Sequence, residues 1–183
     1  LQMLEDFPMR EYGFGSADSL MVQIEAKRLA FEDRALGYAD MDFFEMDPEA
    51  FIDPEYGEAR AAEIDLNTAN TDLRSGSLGL QMAEERLREG DTTYLTVADS
   101  NGMMVSLIQS NYRGMGSGLV ADGLGFMFQD RGQLFSLDPD HPNVWEPGKR
   151  PFHTIIPGFA FHQTDCDEDC SYEPWLSFGV MGG

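Results

Sequence analysis

Residues 90–110 read GDTTYLTVADSNGMMVSLIQS, and this stretch decides the fold class. Residues 92–99 and 103–110 are each rich in alternating or β-branched residues, which is typical of strands. Ser100-Asn101-Gly102 predicts a hairpin turn between them, because Asn and Gly accept positive φ angles. Apolar residues have helical spacing before Gly90 and strand-like spacing after it. The sequence therefore predicts an α+β fold with a helical first half and a β-sheet second half.

The pattern on either side of this hairpin predicts the remaining elements. Upstream, Ser16 can cap a first helix whose apolar positions include Leu20, Ile24 and Leu29. The predicted helices are residues 19–39, 54–64 and 78–89, with a polar loop or linker over 65–77. The other predicted strands lie near residues 126–128, 154–162 and 175–179, with a loop over 136–151.

The chain has 183 residues with 33 acidic and 12 basic side chains, a net charge of −21 and 42% hydrophobic residues. This composition is apolar enough to form a core, which excludes wholesale disorder. The negative charge argues against a nucleic-acid partner or an anionic membrane surface. No apolar run approaches the ~18 residues of a membrane span. Two interpretations of the acidity remain open, an ordinary solvated surface or a surface adapted to high salt.

The two ends of the sequence predict a fragment of a longer protein. Leu1–Phe7 has the spacing of a helix interior, and the chain stops at Gly183 directly after a strand-like run. A targeting segment could lie outside this sequence, so the compartment stays open.

Thr92 is the first candidate for chemistry, although on its own it is also an ordinary strand residue. A Thr hydroxyl is a poor nucleophile unless a base removes its proton. A Thr at a chain N-terminus has such a base in its own α-amine, whose ordinary pKa is about 8. Thr92 could act in this way only if the chain were cut directly before it.

Several motifs together, in this order, resemble the γ-glutamyltransferase (γ-glutamyltranspeptidase) family. The resemblance spans essentially the whole chain. The motifs are Glu25–Arg34, Gly90–Asp99 with Asn101-Gly102, Val105-Ser106, Gly116-Ser117-Gly118, Gly148–Thr154 and Phe178–Gly183.

The resemblance implies an N-terminal nucleophile (Ntn) hydrolase with part of a four-layer αββα sandwich. It implies self-cleavage between Asp91 and Thr92. Residues 1–91 would then be the C-terminal helical part of a large subunit. Residues 92–183 would be the N-terminal β-rich part of a small subunit, and the two would remain a heterodimer. Residues 1–91 carry 22 acidic and 8 basic side chains, against 11 and 4 in residues 92–183.

The resemblance also implies the activity. Thr92 would attack γ-glutamyl amides such as glutathione and pass the acyl group to water, an amino acid or a peptide. This chemistry requires no metal and no organic cofactor. Members of the family are often secreted or periplasmic.

The resemblance assigns site residues by position. Ser110 would hydrogen-bond the nucleophile, and the backbone N–H groups of Gly182 and Gly183 would form an oxyanion hole. Tyr112 and Thr154 would lie at the substrate. Arg131 is a further candidate, either as a partner for an anionic substrate or as an ordinary surface charge.

Three departures from the family pattern favour its acylase-like branch. Leu134 stands where γ-glutamyl-specific members have an acidic residue that holds the substrate's α-amine. Tyr112 replaces an Asn, and His153 replaces the first of two serines, whereas Thr154 keeps the second hydroxyl. An acylase for another side-chain amide is therefore the alternative function, and a non-catalytic fragment is a second one.

Cys166 and Cys170 lie in an acidic insertion between two predicted strands. Two Cys four residues apart can close a small disulfide or contribute to a metal site, although a full site needs more ligands. The sequence leaves these alternatives open.

Overall fold

The computed structural model of the protein describes residues 1–71, 90–164 and 170–181. Its helices are α1 Gln2–Glu5, α2 Met9–Tyr12, α3 Ala17–Gly37 and α4 Pro54–Ala61, with 3₁₀ turns at Pro48–Ile52 and Arg131–Leu134. Its strands are β1 Gly90–Ala98, β2 Met104–Arg113, β3 Gly158–Gln163 and β4 Tyr172–Phe178. The predicted α+β class, helical first and β-sheet second, is confirmed.

The chain divides into two compact units. The first comprises Leu1–Met82 and Ser136–Arg150 and holds helices α1 to α4. The second comprises Ala83–Phe135 and Pro151–Gly183 and holds strands β1 to β4.

Helix α3 forms the core of the first unit. As predicted, Ser16 caps it, and the Ser16 Oγ accepts the Ser19 backbone N–H at 3.1 Å. Leu29 is 1% exposed, but the predicted apolar positions Leu20 and Ile24 are 48% and 53% exposed. The buried apolar side chains are Val22, Ala26 and Leu29, of which Ala26 and Leu29 were predicted and Val22 was not. Steps of four and three residues place these three on one face of a helix.

An ion pair joins two distant segments within the first unit. The Asp40 carboxylate, whose side chain is 1% exposed, accepts the Arg150 backbone N–H at 2.8 Å and the Arg150 Nε–H at 2.9 Å. Next to it, the buried Lys149 ammonium donates to the Pro142 carbonyl at 2.8 Å and pairs with Glu146. Arg150 therefore anchors residues 136–150 to the segment after α3, whereas the bonds of Lys149 to Pro142 and Glu146 hold residues 136–150 together from within.

Acidification is expected to weaken this anchor. The hydrogen bonds from Arg150 hold the pKa of the Asp40 carboxyl well below its ordinary value. A lowered pKa in the folded state gives stability that is present above the ordinary value of about 3.9 and is lost as the pH falls. We expect Asp40→Asn to be less stable than the wild type near neutral pH, and this difference to shrink below about pH 4.

Urea denaturation of the two proteins across this pH range measures the difference. Asp42→Asn is the matched control, because Asp42 contacts the same Arg150 but is largely exposed. A gap between Asp40→Asn and wild type that stays constant with pH would contradict the expectation.

Strands β1 and β2 form the predicted antiparallel hairpin. The Asp99 carboxylate accepts the backbone N–H groups of Asn101 at 2.8 Å and Met103 at 2.9 Å, and Gly102 has a φ of +86°. Compared with the prediction, β1 begins two residues earlier and β2 ends three residues later.

Strands β3 and β4 form a second antiparallel pair, whose predicted bounds were only partly right. Strand β3 begins at Gly158 rather than at 154, directly after Pro157, which has no N–H to donate to a ladder. Strand β4 begins at Tyr172 and contains Pro174, and the register shifts beside this proline, between Ala160 and Phe161.

The predicted strand at 126–128 is wrong. Residues Val120 and Met127 form only an isolated bridge there. A glycine-rich segment folds back on this stretch instead, since the Ser117 N–H and Oγ–H both donate to the Phe128 carbonyl. Gly116 allows the approach: its φ is +60°, and a Cβ there would lie 2.5 Å from that carbonyl oxygen. The predicted helix at 78–89 lies outside the described residues.

Candidate active site

Thr92 and Ser110 face each other across the β1–β2 hairpin. They are direct partners in the ladder, and the Thr92 Oγ1–H donates to the Ser110 Oγ at 2.9 Å. Tyr94 and Thr96 follow Thr92 at alternate positions and bond the hydroxyls of Ser106 and Ser177. Alternation along a strand places all three β1 side chains on one face.

The Ser110 hydroxyl is held in one orientation. It also accepts the Tyr112 backbone N–H at 2.9 Å. A hydroxyl has two acceptor sites and one proton, so these two bonds fill both acceptor sites. Ser110 therefore accepts a hydrogen bond from Thr92, and its own proton points away from both donors.

A β-bulge lies directly beside the bond between Asp91 and Thr92. Gly90 pairs with Arg113 and Thr92 pairs with Ser110, so Asn111 and Tyr112 together oppose Asp91 alone. Tyr112 has a φ of +79°, which a non-glycine residue adopts only at a cost of about 1–3 kcal/mol. Bulges interrupt the ladder and are frequent next to active sites. The predicted processing site therefore lies where the regular pairing of β1 with β2 is interrupted.

Arg131 connects this bulge to Thr154. Its side chain is buried, and its Nε–H donates to the Thr154 Oγ1 at 2.7 Å while its Nη1–H donates to the Ser110 carbonyl at 3.2 Å. The guanidinium carbon lies 5.5 Å from the centre of the Tyr112 ring, a cation–π distance. Burial lowers the pKa of Arg131, whereas the nearby Asp130 carboxylate acts in the opposite direction.

Two further residues of this site were missed in the sequence. The Gln129 Oε1 accepts the Arg131 backbone N–H at 2.6 Å. The Asp130 carboxylate pairs with the Arg113 Nε at 2.7 Å, and the Asp130 N–H donates to the Asn111 carbonyl. These contacts hold residues 129–131 against the bulge. The polar run Gln129-Asp130-Arg131 after an apolar stretch is the sequence pattern that could have indicated these two residues.

The segment that leads to the predicted oxyanion hole lies against β1. A Cβ on Gly179 would lie 2.7 Å from the Tyr94 ring, so glycine is required for this close approach. Gly182 and Gly183 themselves lie outside the described residues, and their role stays a prediction. Cys166 lies outside them as well, while Cys170 is disulfide-bonded.

The structure therefore brings together five residues singled out in the sequence, which are Thr92, Ser110, Tyr112, Arg131 and Thr154. Leu134, which stands where an acid was expected, ends the 3₁₀ turn that Arg131 begins.

Residues 1–71, 90–164 and 170–181 contain neither a candidate metal centre nor a candidate membrane span. Within these ranges no three His, Cys, Asp or Glu side chains are grouped so that they could hold a metal ion. In the same part of the chain, no helix combines the length and the hydropathy needed to cross a bilayer.

Known proteins are similar to this chain in sequence and in fold. The chain is 34% identical over 183 residues to the glutathione hydrolase-like YwrD proenzyme of Bacillus subtilis (strain 168), covering 100% of this chain and 31% of that protein. It is 31% identical over 195 residues to the glutathione hydrolase proenzyme of Escherichia coli (strain K12), again covering 100% of this chain and 31% of that protein. The chain thus spans about a third of the length of these curated relatives.

Among solved structures, the fold is similar to that of the cephalosporin acylase from Bacillus halodurans. The TM-score is 0.66 at 37% sequence identity, over 86% of this chain and 26% of that chain. The expected Ntn-hydrolase fold is confirmed by this similarity. The gamma-glutamyltranspeptidase family matches residues 1–183, and the chain therefore belongs to the gamma-glutamyltranspeptidase family.

Proposed function

We propose that this chain carries the nucleophile and the processing site of a self-cleaving amidohydrolase, with Thr92 as the nucleophile. The observation that carries the proposal is the Thr92–Ser110 hydroxyl pair beside the bulge at Asp91. The names of the relatives, which are proenzymes, support it.

The proposed self-cleavage proceeds in two steps. The Thr92 Oγ attacks the carbonyl carbon of Asp91 as its proton passes, through the Ser110 hydroxyl, to the amide nitrogen of Thr92. The C–N bond then breaks, which leaves an ester on the Thr92 oxygen and a free α-amine. Water hydrolyses the ester, so that Asp91 becomes a C-terminal carboxylate and Thr92 an N-terminal residue. Residues 1–91 and residues 92–183 would then belong to two separate chains that remain together as large and small subunit.

The same hydroxyl would then act on a substrate amide. The free α-amine of Thr92 serves as the base, the Thr92 Oγ takes the acyl group, and the amine of the substrate leaves with a proton. Water, an amino acid or a peptide accepts the acyl group. Donors at Gly182 and Gly183 would stabilise the oxyanion.

A γ-glutamyl amide such as glutathione is the first candidate substrate, because the two relatives described above are named glutathione hydrolase or glutathione hydrolase-like. An acylase substrate is the second candidate, and Leu134 favours it. An apolar side chain cannot pair with the α-amine of a γ-glutamyl group, whereas an acyl group without that amine leaves no charge unpaired.

Two chromogenic amides test the substrate in the full-length protein. γ-Glutamyl-p-nitroanilide and glutaryl-p-nitroanilide differ only by the α-amine. Release from the first supports γ-glutamyl transfer, and release from the second alone supports the acylase. We expect Leu134→Asp to raise the rate ratio of the first to the second by about tenfold or more, since it adds a partner for the amine.

Gln133→Asp is the matched control, because it adds the same charge one residue away. A ratio that changes equally in both variants would contradict a role for position 134. Release from neither amide by a chain that is cleaved at residue 91 would exclude γ-glutamyl and glutaryl amides as substrates.

A further inference from the structure

Arg131 carries a buried charge at the centre of the site, and its side chain bonds two other segments of the chain. Its residue is 5% exposed. Two of its nitrogens donate to groups on different segments, the Ser110 carbonyl of β2 and the hydroxyl of Thr154 in the stretch before β3. The sequence suggested a contact with an anionic substrate instead.

We propose that Arg131 is a positioning residue that sets the Ser110 hydroxyl against Thr92 through the bulge at Asn111 and Tyr112. This inference rests on the proposed role of Thr92 as nucleophile. The Ser110 Oγ is aimed by the Tyr112 N–H, and the conformation of Tyr112 depends on what holds the bulge. Arg131 holds it from both sides, by the bond to the Ser110 carbonyl and by its contact with the Tyr112 ring.

The shape of arginine explains why this residue type stands here. Its planar guanidinium presents donors in a fixed fork, so it can reach two acceptors on separate segments while its face lies on an aromatic ring. A lysine would keep the charge but offers a single flexible ammonium group. Methionine would keep much of the length and lose all the donors.

The test compares Arg131→Met and Arg131→Lys with the wild type in the full-length protein. Arg28→Met is the matched control, since Arg28 is a partly exposed arginine of α3 in the other compact unit. The measurements are the half-time of self-cleavage, kcat and KM for the p-nitroanilide that the wild type hydrolyses.

We expect Arg131→Met to slow self-cleavage and to lower kcat by about 100-fold, because small misplacements of reacting groups have effects of this size. KM should stay within about twofold, since the proposed role includes no contact with substrate. Arg131→Lys should recover part of the loss, and Arg28→Met should behave as the wild type. A raised KM with unchanged kcat would overturn the proposal in favour of a substrate contact.

A second readout needs no activity. Crystal structures of the two variants, both with Thr92 intact, measure the distance from Thr92 Oγ1 to Ser110 Oγ. It should exceed hydrogen-bond range in Arg131→Met and remain near 2.9 Å in Arg28→Met. An unchanged distance in Arg131→Met would overturn the positioning role. If the wild type neither cleaves itself nor hydrolyses an amide, the proposed function fails, whereas this distance still decides the role of Arg131.

Discussion

Replacing Thr92 with alanine is expected to leave the chain in one piece and to abolish hydrolysis. The variant has no hydroxyl to attack the Asp91 carbonyl and none to take an acyl group from a substrate. Loss of a nucleophile in a comparable catalytic unit lowers kcat by about 10⁴-fold or more. Thr92→Ser keeps a hydroxyl within reach of Ser110, and we therefore expect it to be processed and active.

Intact mass and N-terminal sequencing of the purified protein measure the result. The wild type should give a new N-terminus at Thr92, and Thr92→Ala should give none. Thr93→Ala is the matched control, because Thr93 is the next residue of β1 but is exposed on the opposite face. A wild-type chain that stays uncut, or a Thr92→Ala chain that is still cut at this bond, would contradict the assignment.

Replacing Ser110 with alanine has the second-largest expected effect. The substitution removes the one group that accepts both the Thr92 hydroxyl proton and the Tyr112 N–H. Proton transfer by a positioned side chain contributes about 10²–10⁴-fold, and we expect self-cleavage to slow by at least about 100-fold. Ser110→Thr should be processed normally, because it keeps the Oγ and adds a branch that strands tolerate well.

A time course by mass spectrometry measures the rate of cleavage. Ser106→Ala is the matched control: Ser106 lies on the same face of β2, and its hydroxyl bonds the Tyr94 hydroxyl at 2.8 Å. Equal rates for Ser110→Ala and Ser106→Ala would show that the hydroxyl of Ser110 has no special part in the reaction.

Local sequence signals predicted the hairpin and the cap at Ser16, and the family resemblance implied the contact of Ser110 with Thr92. Each of these depends on residues close together in the chain or on strand alternation. Residues Leu20 and Ile24 were placed on the apolar face of α3 by spacing alone, yet both are half exposed. Which of two possible apolar faces is buried depends on what packs against the helix, and spacing does not specify this.

The contacts of Arg131 could not be predicted for a similar reason. Motif order pointed to Arg131 and Thr154, but their hydrogen bond joins segments 23 residues apart. The bulge has no glycine to signal it, because Tyr112 itself adopts the positive φ. Its geometry is maintained by surrounding contacts, among them the Arg113–Asp130 pair, which arise only when the segments have packed.

The hairpin also has a consequence for the order of folding. Thr92 and Ser110 are joined across a short turn, and isolated hairpins form within about 1–10 μs. By contrast, the Thr96–Ser177 contact, which brings β4 against β1, closes a separation of 81 residues. Long-range closure is the slower process. Thr92 and Ser110 are thus in register early, whereas the segment leading to the proposed oxyanion donors docks late, so we expect a newly made chain to cut itself only after β4 is in place.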